Sequence, residues 1–96
     1  MIFRFTPEAD AELTEARQWY SHHRKDLDSE FMQCIEVALL RVQSNPRLFP
    51  VVYGNLRRAV VRRFPAILYE VTAEEIQIVA VFHSRRNPDV WKSRVN

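Results

Sequence analysis

Residues 56–94, LRRAVVRRFPAILYEVTAEEIQIVAVFHSRRNPDVWKSR, decide the fold. Within them Ile76, Ile78, Ala80 and Phe82 alternate with Gln77, Val79, Val81 and His83, the period-two pattern of a strand with one side turned to a core. Upstream, Ile67, Tyr69 and Val71 alternate with Leu68, Glu70 and Thr72. The polar Thr72-Ala73-Glu74-Glu75 segment lets the chain reverse, which predicts an antiparallel hairpin. Leu56 to Arg63 also reads as a strand, with Arg57 and Arg63 on one side and Arg58 and Arg62 on the other. Pro65 cannot donate to a ladder and marks a bend, bulge or edge between two of these strands. Asn87 and Pro88 suit the N-cap and first turn of a short terminal helix, Pro88 to Arg94.

Working outward, Ile2 to Phe5 is strand-like, and Thr6-Pro7 suits an N-cap followed by the first helical position. Glu8, Asp10 and Glu12 complement the dipole of that helix, and Ala9, Leu13, Ala16 and Tyr20 share one face, with Trp19 flanking it. His22, His23, Arg24 and Lys25 read as the connection to a second helix. That helix starts at Asp26 or Asp28 and buries Leu27, Phe31, Cys34, Ile35, Ala38 and Val42. Asn45-Pro46 stops it. Arg47 to Asn55 then reads as a connection rich in turn residues, in which Gly54, the chain's single glycine, takes a positive φ. The expected architecture is α+β, in the order strand, helix, helix, strand, strand, strand, plus a short C-terminal helix. A helical hairpin covers one face of a mainly antiparallel sheet, and the other face stays open for function.

A chain of 96 residues is long enough for one two-layer core, so residues 1–96 read as a single domain. The sequence has no long apolar run and no signal-peptide pattern, which predicts a cytoplasmic protein that does not enter a membrane. Cys34 is the single cysteine and reads as a core residue. His22 and His23 have no carboxylate at ligand spacing, so no metal site is expected, and no cofactor motif is present. Charge is divided unevenly. Met1 to Pro46 holds five Lys or Arg against eight Asp or Glu, a balance of −3, whereas Arg47 to Asn96 holds nine against four, a balance of +5. Such polarity fits nucleic acid or an acidic protein segment.

The residues that carry chemistry are Arg57, Arg58, Arg62, Arg63, Arg85 and Arg86, with His83 and Trp91 nearby in sequence. Guanidinium forks match phosphate and carboxylate, and aromatic rings offer stacking surfaces. His83 is a candidate general acid or base, or else a ring that closes the end of the sheet by hydrogen bonding. Trp91 is a candidate anchor for the terminal helix or a stacking platform.

Taken together, the opening strand with TPEAD, Trp19-Tyr20, Asn45-Pro46, Phe49-Pro50, RRFPAILYEV and VFHSRRNPDVW resemble the RelE/ParE superfamily of toxins from type II toxin-antitoxin pairs. In the RelE-like branch, the resemblance implies a ribosome-dependent messenger-RNA endoribonuclease using His83, Arg85 and Arg62. Trp91, however, falls where that branch has a catalytic tyrosine, and Ala66 falls where it has another arginine. The chain is more similar to the ParE-like branch. That resemblance implies a non-catalytic DNA gyrase inhibitor that stabilises cleaved DNA, blocks replication and growth, and serves plasmid maintenance. The implied target-binding set is Arg57, Arg58, Arg62, Arg63, His83, Arg85, Arg86 and Trp91. The implied partner is a ParD-like antitoxin, a DNA-binding dimer whose tail folds on the toxin and through which operator DNA is reached. A detoxified member that binds only antitoxin or operator has the same sequence features.

Overall fold

The computed structural model describes residues 1–83 and 87–95. The chain runs β1 (Ile2–Phe5), α1 (Pro7–His23), α2 (Leu27–Ser44), β2 (Val51–Tyr53), β3 (Leu56–Ala59), β4 (Ala66–Val71), β5 (Glu75–Phe82) and α3 (Asp89–Lys92). The strands form one sheet in the order β1-β5-β4-β3-β2, with β1 parallel to β5 and the other neighbours antiparallel. The α+β architecture with a helical hairpin on one face is as expected. β2 is an addition: Val51 to Tyr53 lies inside the segment expected to be a plain connection, and it hairpins back on β3 through Gly54, whose φ is 55°.

Helix α1 begins as its sequence dictates. The Thr6 hydroxyl accepts from the Ala9 amide at 3.1 Å, and Pro7 occupies the first turn, where its missing N–H costs nothing. The histidines do not form the connection. α1 continues through His22 and His23, whose Nδ1 atoms lie 2.6 Å and 2.8 Å from the Gln18 and Trp19 carbonyl oxygens, and His23 stacks on Trp19. Asp26 takes the N-cap position of α2, but at φ 69° its side chain makes no capping hydrogen bond. Arg17 instead holds Asp28 across the hairpin at 2.8 Å, and that hydrogen bond keeps the Asp28 carboxyl below the usual carboxylate range. An exposed pair of this kind contributes little to stability.

The main core lies between the hairpin and the sheet. Ala9, Phe31, Ile35, Ala38 and Val42 from the helices meet Ala59, Ile67, Tyr69, Ile76, Ile78 and Val81 from the sheet. Tyr20, Phe31 and Phe64 form an aromatic triangle with centroid separations of 5.0 to 5.2 Å. The Tyr69 hydroxyl donates to the Pro46 carbonyl at 2.6 Å and so fixes the end of α2 to β4. Burial pushes both the Tyr20 and Tyr69 phenols above their ordinary value, with Arg57 pulling Tyr69 partly back. The unfolded chain therefore loses these protons first as pH rises. Stability is complete below about pH 10, the ordinary tyrosine value, and declines as pH climbs toward the folded-state values. Urea midpoints between pH 8 and pH 11 should fall in that direction, and Tyr69→Phe should flatten the fall. A midpoint that does not move above pH 10 would contradict this.

Strand β5 departs from simple alternation. Leu68 pairs with Ala80 and Tyr69 with Ile78, which leaves Val79 as the extra residue of a bulge. The bulge reverses the phase of the strand. Ile76, Ile78 and Val81 face the helices, while Val79, Ala80 and Phe82 face the other way, so the expected common side for Ile76, Ile78, Ala80 and Phe82 does not exist. The second sheet face is not open as expected either. Leu56, Leu68, Val79, Ala80 and Phe82 form a second apolar cluster there, closed by Trp91 of α3 and flanked by Val52 and Val95.

The bulge sits where β1 runs out. Pairing of β1 with β5 ends at Phe5 and Ile78, so the outer edge of β5 beyond that point needs other partners. The Thr6 hydroxyl and Arg94 Nη1 both donate to the Val79 carbonyl, at 3.3 Å and 3.0 Å, and the Val81 amide donates to Glu12 Oε1 at 3.1 Å. Glu12 and Arg94 also pair with each other through two hydrogen bonds of 2.9 Å and 3.1 Å, with side chains only 11% and 17% exposed. One carboxylate and one guanidinium thus complete an edge that the strands leave unfinished. Among the described residues no helix is long and apolar enough to cross a membrane, and there is no cluster of three or more potential metal ligands.

Candidate binding surface

The arginine-rich stretch after β2 is shorter as a strand than its sequence suggests. β3 stops at Ala59, and Arg62 and Arg63 lie in the turn that follows, with Arg63 at φ 51°. The expected alternation of Arg57 and Arg63 against Arg58 and Arg62 therefore fails. Each guanidinium has its own circumstance. Arg57 donates to the Arg47 and Phe49 carbonyls at 2.9 Å and 2.7 Å, so it organises the α2-β2 connection. Arg63 pairs with Glu30 and sits 5.3 Å from the centroid of Phe64. Glu30 also binds Arg24 at 2.8 Å, which joins the hairpin loop to the turn before β4. Arg62 is exposed. Arg85 and Arg86 lie outside the described residues.

Four of the expected binding residues do converge. Arg58, Arg63, His83 and Trp91 line one cavity of about 490 Å³, whose remaining wall is mostly Val52, Val60, Val61, Phe64, Leu68 and Phe82. The fold explains the meeting. The odd positions of β3 turn toward the helices, so Arg58 turns the other way, toward the face that α3 covers. Trp91 is 7% exposed and packs edge-on to Phe82 and Tyr53, at centroid separations of 5.7 Å and 6.1 Å. Of its two expected roles, the anchor is the one this packing fills. Its indole N–H is buried and finds no acceptor among the described residues. Arg58 has no hydrogen bond or ion pair from its guanidinium to any described residue.

His83 lies just past β5 and also lines a second cavity, of about 350 Å³, with Glu12, Glu15, Trp19 and Tyr20 of α1. The Glu12–Arg94 clasp, which holds the C-terminal segment in place, was missed in the sequence. Its two residues are 82 positions apart, and neither lies in a motif.

Residues 3–88 match the family described as the ParE toxin of the type II toxin-antitoxin system parDE. The chain belongs to the ParE toxin family. Among solved structures, this ParE-family chain is similar to the chromosomal ParDE toxin-antitoxin system from P. aeruginosa, with a TM-score of 0.62 and 18% identity over 86% of this chain and 95% of that one. It is also similar to the YoeB dimer from Staphylococcus aureus, with a TM-score of 0.59 and 16% identity over 86% of this chain and 95% of that one. At these identities the two likenesses bear on the fold, while the family match bears on kinship. No curated protein gives a significant match. As a ParE-family member the chain is the toxin half of a toxin-antitoxin pair, with an antitoxin as its partner.

Proposed function

We propose that this toxin inhibits DNA gyrase by binding, stabilising the enzyme's cleaved-DNA state and blocking replication, and that a cognate antitoxin neutralises it. The working surface is the cavity on the second sheet face with the turn beside it: Arg58, Arg62, Arg63, His83 and Trp91, together with Arg85 and Arg86. Arg57 serves first as scaffold beneath, because its Nη1 is already committed to two loop carbonyls.

The observation that carries this reading is the chemistry of the cavity wall. Among the described residues it contains cations and aromatic rings but no carboxylate. RNA cleavage by general acid-base catalysis needs a proton donor and a proton acceptor on either side of a phosphate, whereas among the described residues of this wall His83 is the single imidazole and indole exchanges no proton near neutral pH. A binding surface needs neither. Purified toxin added to gyrase and supercoiled plasmid is expected to increase linear DNA after protein denaturation. If linear DNA does not rise while messages in induced cells are cut and translation stops first, the target is the ribosome and the ribonuclease reading replaces this one.

A further inference from the structure

We propose that the tip of the helical hairpin and the turn before β4 together form a phosphate clasp, in which Arg24 and Arg63, held side by side by Glu30, grip the backbone of duplex DNA. The clasp extends the working surface, which already includes Arg62 and Arg63, and does not rest on gyrase being the target.

Glu30 Oε2 accepts from Arg24 Nη2 at 2.8 Å, and Glu30 Oε1 pairs with Arg63 Nη2. Because both oxygens belong to one carboxylate, the two guanidinium groups are held within reach of the same stretch of backbone. One carboxylate cannot neutralise two guanidinium groups, and each keeps N–H donors beyond those it spends here. The Arg24 and Arg63 side chains are 61% and 58% exposed, so that surplus faces solvent. Lys25 and Arg62, next to them in sequence, are exposed as well. Four cations thus stand against two carboxylates, Asp26 and Glu30, while Asp28 is already matched by Arg17.

The backbone is strained where the clasp is built. Arg63 sits at φ 51°, in a turn closed by the Phe64 amide donating to the Val61 carbonyl at 3.0 Å. Glycine would hold that turn with less strain but would leave Glu30 a single guanidinium. The Arg63 guanidinium also lies 5.3 Å from the centroid of Phe64, which fixes its position further. Strained residues of this kind collect at functional sites.

Phosphodiester fits this junction better than a protein segment. Protein interfaces arrange charge around a buried apolar centre, and the tip from His22 to Asp26 is polar throughout. Contacts to a nucleic-acid backbone ask only for fixed cationic donors at the surface. A duplex is favoured over a single strand, whose binders add open stacking rings. The ring beside the tip, Trp19, has one face covered by His23 at a centroid separation of 3.5 Å.

The test is fluorescence anisotropy of a labelled DNA duplex titrated with the full chain, without gyrase, at several salt concentrations. Saturable binding is expected, with log K falling against log salt at a slope of about −0.9 for each phosphate held. Arg24→Gln and Arg63→Gln should each weaken binding several-fold and make the slope shallower by about 1. Both positions are exposed, so the variants should fold, which their urea midpoints check. Arg63→Gly keeps the turn and deletes the guanidinium, so it should match Arg63→Gln. Arg41→Gln removes the same charge about 16 Å farther along α2 and should change affinity and slope little. Four results overturn the proposal: no binding at low salt, Arg41→Gln weakening it as much as Arg24→Gln, Arg63→Gly binding as well as the parent, or single-stranded RNA of equal length binding more tightly than the duplex. Because the assay contains no gyrase, none of them bears on cleavage scored on plasmid.

Discussion

Glu12→Ala should lower the unfolding free energy by about 2–4 kcal/mol, more than any single change to the exposed ion pairs. The substitution removes the acceptor of the Val81 amide and leaves Arg94 facing the Val79 carbonyl with its countercharge gone. Both side chains are mostly buried, so water replaces the lost partner poorly, though enough exposure remains to keep the cost below that of a deep ion pair. Glu12→Gln should recover part of the loss, because an amide oxygen still accepts from Val81 while the charge pairing is lost. Arg17→Ala, which breaks the exposed pair with Asp28, should cost less than about 1 kcal/mol. Urea denaturation of the three variants orders them directly. If Glu12→Ala is no worse than Arg17→Ala, the edge of β5 is not held in the way described.

The second large effect is expected from Trp91→Ala. Truncating a fully packed tryptophan costs about 3–5 kcal/mol in a core. Here the ring closes the second apolar cluster from a helix only four residues long, which has little stability of its own. Much of the cost should therefore appear as local detachment of the C-terminal segment, with faster amide exchange at Leu68, Ala80 and Phe82 and faster proteolysis after residue 83. Toxicity should fall sharply on induction, while Arg17→Ala remains toxic. Equal toxicity of the two variants would mean that the C-terminal segment takes no part in target binding.

These two predictions depend on features of unequal visibility in the sequence. The helices were legible because Ala9, Leu13, Ala16 and Tyr20, and then Phe31, Ile35, Ala38 and Val42, keep a helical period against polar neighbours. The β4-β5 hairpin was legible for a similar reason, since Ile76 and Ile78 flank a polar Gln77. The bulge was not legible. From Val79 to Phe82 every residue is apolar, so the run carries no phase, and a one-residue offset leaves its pattern unchanged. Strand β2 was hidden by its length, because three residues between Pro50 and Gly54 are too few to show a period. His22 and His23 extend α1 because their rings contact the carbonyls four residues back, a local bond that composition does not reveal.

The binding surface was legible as a set of residue types and not as an arrangement. Sequence supplies the charges of Arg57, Arg58 and Arg63 but not what each meets. Facing direction on β3 assigns Arg57 to loop carbonyls and Arg58 to the cavity, and a turn delivers Arg63 to Glu30. Trp91 was recognised as either anchor or platform, and its packing on Phe82 makes it an anchor.

The parallel pairing of β1 with β5 also bears on the order in which the protein is made. Ile2 to Phe5 leave the translation machinery well before their partner strand and have nothing to join until Glu75 to Ile78 have followed, and the edge they leave unfinished waits longer still, for Arg94. Contacts this distant along the chain form late and slowly. A nascent toxin is thus kept from its finished shape until the segment that carries Arg94 has emerged, an interval in which the producing cell has yet to meet a completed poison.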